Sequence, residues 1–192
     1  MKVKIWVRWL LVVALVLVGI LSIVTAAPAS QAADVLTFDI AENAAWFVSQ
    51  QEPSFEDGYP AYGNPFLTQG YIYPGGTLNG SNGVLENGDP EFPDLVIGRW
   101  VCRGWVYAPE GAHAETGALV VTSQIYELGQ TVGAESIMTE GFELADINIA
   151  VERSIIGGTG RYGAADGQQV QTLLGFNVTQ GVNLHVEFHL MD

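Results

Sequence analysis

The sequence predicts an all-β protein, an eight-stranded antiparallel β-barrel, on three observations. Apolar and polar residues alternate with period two through most of the chain beyond its N-terminal segment, and a helical period is hard to find. Clusters of Gly, Asn and Pro punctuate the apolar runs. The runs so delimited are short and spaced as in a sandwich or a barrel. A closed ring removes exposed strand edges, and eight strands leave an interior for side chains or one small ligand, lipocalin-like in shape.

Taken in order, strands are expected over 35–41, 64–73, 95–107, 117–128, 136–145, 147–156, 168–177 and 182–190. Turn chemistry separates them. Pro74-Gly75-Gly76 stops the second strand. Asn79-Gly80-Ser81-Asn82-Gly83 and Asn87-Gly88-Asp89-Pro90 build a long loop ahead of the third. Pro109-Glu110-Gly111 precedes the fourth and Gly157-Gly158 the seventh. Residues 42–62 fit no strand. They carry Trp46, Phe47, Phe55, Tyr59 and Tyr62 among Glu52, Glu56 and Asp57, too aromatic for a disordered tail. Two readings stay open here: a flap whose aromatics close over the barrel mouth, or a loop simply anchored by them.

Residues 1–32 read as a secretory signal peptide. Lys2, Lys4 and Arg8 precede an apolar run from Trp9 to Val24, and small residues follow, with cleavage positions after Ala29 and Ala32. That run of 16 residues is shorter than the ~20 a spanning helix needs, which ranks an uncleaved anchor second. The expected product is one β-barrel domain over 33–192, secreted or periplasmic. Its basic residues are Arg99, Arg103, Arg153 and Arg161 against 21 acidic ones, a formal charge of −17. Nucleic acid and anionic membrane surfaces attract basic patches, so no nucleic-acid partner is expected. Cys102 is the single cysteine, so no internal disulfide forms and stability rests on the core.

The densest motif is Ile155-Ile156-Gly157-Gly158-Thr159-Gly160-Arg161-Tyr162, continued by Gly163-Ala164-Ala165-Asp166-Gly167. As a phosphate loop it lacks Gly-Lys-Ser/Thr and a following helix. As a corner between strands it fits, with Gly157, Gly158, Gly160 and Gly167 as a structural turn motif. The motif resembles one shared by plant allene oxide cyclases and dirigent proteins: a hydrophobic pair, Gly-Gly-Thr/Ser-Gly, a basic or apolar residue, an aromatic, then Ala-x-Gly. Thr37-Phe38-Asp39-Ile40-Ala41-Glu42 is similar to the cyclases' first strand, Asn64-Pro65-Phe66 into Tyr71-Ile72-Tyr73 to their second, and Gly98-Arg99 with Gly104 to their third. The resemblance covers most of residues 35–190. It implies an eight-stranded barrel, usually trimeric, around a hydrophobic cavity. It further implies a small hydrophobic partner, fatty-acid-derived or phenolic, and no cofactor or metal. The activity implied is a cofactor-independent, isomerase- or cyclase-like one that works by holding a substrate in one shape. The chain departs from the cyclases at Ala41, where they carry a water-holding Asn, and it lacks a counterpart of their Ser-Pro near Phe47-Val48. Three functional readings therefore stand: guided cyclisation or stereoselective coupling, a non-catalytic lipid or phenolic carrier, and a structural barrel with a closed core.

Asp39 matches the cavity carboxylate of the cyclases' first strand and is the expected catalytic residue, equipped for general-acid work if a cavity buries it. If Phe38 and Ile40 point inward instead, Asp39 belongs to the outer face. Thr68 and Gln69 fall near an Asn of the family's second strand. The third strand offers two faces, one with Arg99, Arg103 and Trp105, the other with Trp100, Cys102 and Gly104. Arginines inside would bind a carboxylate such as a fatty acid carries. Outside, they would temper an acidic surface or meet a second subunit of a homo-oligomer, a trimer or dimer. Thr68, Gln69, Arg99, Trp100, Arg103 and Trp105 are thus the candidate ligand contacts. His185, Glu187 and His189 alternate along the last strand, but residues four apart on a strand lie ~13 Å apart, so one metal ion is not expected to join both histidines.

Overall fold

The computed structural model describes residues 35–191, and the signal-peptide assignment of residues 1–32 lies outside them. Each of the eight expected segments contains a strand, with the sixth displaced to 150–159 from the expected 147–156. The strands are β1 (Val35–Glu42), β2 (Val48–Ser49), β3 (Pro65–Pro74), β4 (Gly98–Val106), β5 (Ala118–Leu128), β6 (Ser136–Leu144), β7 (Ala150–Thr159), β8 (Gly167–Phe176) and β9 (Val182–Leu190). They pair antiparallel in the order β1-β9-β8-β7-β6-β5-β4-β3, and β1 also pairs with β3, which closes an eight-stranded barrel. Two-residue β2 is an extra piece beside the start of β3. β4 begins at Gly98 rather than 95 because Pro93–Leu95 winds into a 3₁₀ turn, proline taking its first position.

Directly paired residues share a face, so register sorts inside from outside. Ile40 lies opposite Ile72, Trp100 opposite Tyr126 and Tyr126 opposite Ile137. These side chains are buried with Phe38, Leu128, Ile155, Tyr162 and Phe188 in one cluster that fills one half of the lumen. Phe188 meets Tyr126 edge-on at 4.9 Å between ring centroids and Phe38 at 5.7 Å, geometries that add to the burial itself.

The glycine-rich stretch forms the end of β7, a 3₁₀ turn over Gly160–Tyr162 and the start of β8. Ile156 is the extra residue of a bulge: Thr139 pairs with Ile155, but Met138 already pairs with Gly157. A Cβ on Gly158 would stand 2.2 Å from the Ser136 carbonyl oxygen and 2.7 Å from that of Tyr162. Gly160 has φ +60°, and Gly157 and Gly167 have φ +133° and +128°. The motif thus lets β6 and β7 approach backbone to backbone while the chain turns a corner.

Outside the ring, the segment between β3 and β4 covers the seam where β1 meets β3. Ala41, Tyr73 and Leu78 form a second cluster there, with Tyr71, Phe92 and Val96 against it. Tyr73 donates its hydroxyl to the Gly83 carbonyl, and burial pushes its pKa up to about 12. Segment 42–62 also takes the anchored form. Trp46 packs on Tyr71 at 6.0 Å with the Arg99 guanidinium over its ring, Phe47 stacks on Phe66 at 5.5 Å, and Phe55 and Tyr59 both pack on His113.

Replacing Gly158 with Ala is expected to cost roughly 1–3 kcal/mol, because the added methyl meets backbone that cannot rotate away. Urea unfolding of Gly158→Ala checks this; an unchanged midpoint would mean that β6 and β7 need no such approach.

Candidate functional site

The second half of the lumen is polar, and alternation puts it there. Thr122, Gln124, Thr139, Glu143, Arg153, Gln169 and Gln171 all occupy inward positions of β5 to β8 and are buried. Glu143 is their hub. Its Oε1 accepts from Thr122 Oγ1 at 2.6 Å, Gln124 Nε2 at 2.9 Å and the Cys102 thiol at 3.5 Å; its Oε2 accepts from Gln171 Nε2 at 3.0 Å. Gln124 Nε2 also donates to Gln171 Oε1 at 3.0 Å, the Tyr126 hydroxyl donates to Gln124 Oε1, and Gln169 Nε2 donates to the Tyr126 oxygen at 2.6 Å. Arg153 gives Nη1 to the Phe142 carbonyl at 3.0 Å and Nη2 to that of Thr122 at 3.1 Å, and Nη1 lies 3.9 Å from Glu143 Oε1. Gly141 makes room for this guanidinium: a Cβ there would press on Arg153 Cγ at 3.2 Å.

Glu42 sits inward at the same end. Its Oε1 accepts from Thr68 Oγ1 at 2.5 Å and its Oε2 from the Val182 amide at 2.7 Å. Both bonds favour the charged form, yet burial outweighs them and pushes the carboxyl above its ordinary value. Burial, reinforced by Glu143, holds the Cys102 thiol well above its usual range, so it is not a nucleophile; burial likewise raises Tyr126. Among the described residues, four inward polar atoms have no hydrogen-bond partner: Trp100 Nε1, Thr139 Oγ1, Arg153 Nε and Gln169 Oε1. They comprise two donors, one acceptor and one hydroxyl that can serve as either.

Of the contacts expected from sequence, Thr68 and Trp100 point into the lumen. Gln69, Arg99, Arg103 and Trp105 do not. Pairing puts Gln69 and Val101 on one side and Thr68 and Cys102 on the other, and the burial of Trp100 and Cys102 commits the second side to the interior. Asp39 does not enter the lumen; Phe38 and Ile40 point inward, which puts it on the outer face. It faces outward, opposite His185, yet is buried beneath the segment after β3. Its Oδ1 lies 2.7 Å from His185 Nδ1 and its Oδ2 accepts the Leu78 amide at 2.7 Å. The inward carboxylate of β1 is Glu42, on the parity of Phe38 and Ile40. The lumen arginine is Arg153, legible in retrospect from its parity with Val151 and Ile155. His185 and His189 flank Glu187 on the outer wall at 3.7 Å and 3.5 Å.

No family model and no curated protein matches the chain. Solved structures do. A protein titled pyocyanin demethylase superposes with a TM-score of 0.51 at 11% identity, covering 82% of this chain and 100% of its own. Two pterocarpan synthase dirigent proteins superpose with TM-scores of 0.54 and 0.52 at 13% and 12% identity, covering 83% and 80% of this chain and 96% and 81% of theirs. The chain therefore shares the barrel fold of dirigent-type proteins, as its glycine motif suggests.

Two predictions follow from the charges inside. Arg153→Met strands Glu143 as a buried, uncompensated carboxylate and is expected to cost about 3–5 kcal/mol; adding Glu143→Gln should restore much of it. Unfolding of the single and double variants reads this, and two additive losses would refute the coupling. For Glu42, the folded carboxyl titrates above its unfolded value, so the stability it lends is full below that unfolded value and is lost as pH rises through the folded one. Glu42→Gln should therefore gain on the wild type as pH rises from the ordinary carboxylate range through the higher value of the folded carboxyl, and a gap independent of pH would contradict the assignment.

Proposed function

We propose that the polar half of the lumen holds a small amphipathic molecule, with an apolar body against Trp100, Tyr126 and Phe188 and a hydroxyl or carbonyl among the polar groups. The observation that carries this reading is the set of four unpartnered buried atoms on Trp100, Thr139, Arg153 and Gln169. Leaving a buried donor or acceptor unmade costs roughly 1–3 kcal/mol each, and a ligand with one acceptor and one donor would meet them together. The similar structures of a pterocarpan synthase dirigent protein and a pyocyanin demethylase support a small-molecule role for a barrel of this shape.

The chemistry proposed is guidance by confinement. Glu143 is occupied by its donors and by Arg153, and Cys102 and Tyr126 are held in their neutral forms, so none of these attacks a substrate. Glu42 is the group equipped to deliver a proton, since burial favours its neutral carboxyl. A fatty-acid-derived or phenolic substrate would be folded against the aromatic half while its oxygen is fixed at the other, steering cyclisation or the face of a coupling. Export of the mature barrel, on the strength of Lys2, Lys4, Arg8 and the apolar run behind them, belongs to the same proposal.

One observation favours a second reading, a structural barrel with a closed core: Trp100, Tyr126, Phe188, Gln124 and Gln169 are all less than 2% exposed. Thr139→Val separates the two. Removing an unpartnered hydroxyl is expected to raise the stability of the empty protein by about 1 kcal/mol, while affinity for a hydroxylated aromatic probe, 2-naphthol, falls about three- to tenfold. Titration calorimetry on both proteins reads the affinity. Absence of binding to the wild type would leave the closed core standing.

A further inference from the structure

A cleft of about 510 Å³ opens on the outer wall of the barrel, on the opposite side of β1 and β9 from the lumen. Its floor is the Asp39–His185 pair. One wall is the turn Leu78–Asn82, and the other is made by Asn148 with the chain from Leu174 to Phe176. The volume falls within the ~300–1,000 Å³ of small-molecule sites.

Both walls are held firmly. Asn183 donates its side-chain amide to the carbonyls of Ser81 at 3.2 Å and Asn82 at 3.1 Å, and itself accepts from Asn177 at 3.1 Å. Leu78 is tied to Asp39 through its amide. On the other side, β8 bulges between Leu173 and Gly175, and the Asn148 amide donates to the Leu173 carbonyl at 2.8 Å. The bulge presents the Phe176 ring, which is 62% exposed.

The floor is a carboxylate–imidazole pair. The Asp39 side chain is 2% exposed and that of His185 30%. With Oδ2 taken by the Leu78 amide, Oδ1 fixes the proton of a neutral imidazole on Nδ1, which leaves the Nε2 lone pair free. The nearest acid to Nε2 is Glu187 at 3.7 Å, beyond hydrogen-bonding distance. Among the described residues, no arginine or lysine lines the cleft to hold an anion, and the one carboxylate there is already spent, which disfavours a cation. What remains is a hydrogen-bond acceptor, the side chains of Asn79, Asn82 and Asn148 at the rim, and an aromatic face.

We propose that this cleft is a second binding site, independent of the lumen, for a neutral pyranose sugar. His185 Nε2 accepts one ring hydroxyl. The carboxamides, each both donor and acceptor, take neighbouring hydroxyls. Phe176 covers the apolar C–H face of the ring. Asp39 is a positioning residue: it touches no ligand and sets which imidazole nitrogen is the acceptor.

The test is imidazole and aromatic NMR on the purified protein, with glucose, galactose, mannose and N-acetylglucosamine as probes. At least one sugar should shift the His185 Nε2 resonance and give saturation transfer to the Phe176 ring. Phe176→Ala, an exposed change that spares the core, should weaken that sugar roughly three- to tenfold. Asp39→Asn should move the ring proton to Nε2, visible in the nitrogen shifts without any ligand, and weaken the same sugar. The proposal fails if none of the four sugars moves His185 at high millimolar concentration. It fails equally if the shifts survive Phe176→Ala unchanged, or if Asp39→Asn folds, switches the tautomer and leaves affinity intact.

Discussion

Closing eight strands into a ring makes every second side chain interior, and an ion placed there must be neutralised by the ring itself. The Glu143–Arg153 pair is that constraint in this barrel. The carboxylate comes from β6 and the guanidinium from β7, while the amides that complete the carboxylate come from β5 and β8. A slip of one residue in any of these pairings would turn a partner outward and leave a charge bare in the core. The apolar half, around Trp100, Ile137 and Phe188, supplies burial energy that tolerates small shifts. The polar half tolerates none, so it specifies register across half the ring.

The same neutralisation shapes what the interior can do. A desolvated thiol and a desolvated phenol keep their protons, and the Glu143 carboxylate has its oxygens occupied by donors. What survives is shape, a few directional hydrogen-bonding atoms and one carboxyl inclined to stay neutral. The outer pair differs because one of its members meets solvent: His185 is partly exposed where Glu143 is enclosed. The two chemistries thus lie on opposite faces of the sheet, one inside on β5 to β8 and one outside on β1 and β9.

Strand positions were legible because alternation is a local property. All eight expected strands are present, and the glycine corner sits where its spacing put it. Which face turns inward was not legible for β4, whose two faces each carry an aromatic residue and a polar or small one. Only the pairing with β3 and β5 settles that Trp100 and Cys102 face in and Arg99, Arg103 and Trp105 face out. Asp39 illustrates a second limit. Its outward parity was readable from Phe38 and Ile40, but its burial depends on a segment about forty residues further on and on a histidine near the other end of the chain. Arg153 escaped notice because an arginine in an alternating strand reads as solvent-facing until a glutamate on the neighbouring strand claims it.

Ring closure sets the order in which the molecule can be made. Ile40 on the first strand lies in register between Ile72 on one side and Leu184 on the other, and Val35 pairs with His189. The stave that seals the cylinder is the earliest one synthesised, and it waits for the last. Local hairpins from β4 to β9 can assemble as they emerge, yet the cylinder has a gap until the final nine-residue strand arrives, a topology of high contact order and slow completion. Until that strand docks, β1 keeps one edge of unpaired amides and carbonyls, the same edge that β9 covers from Val35 to Ala41.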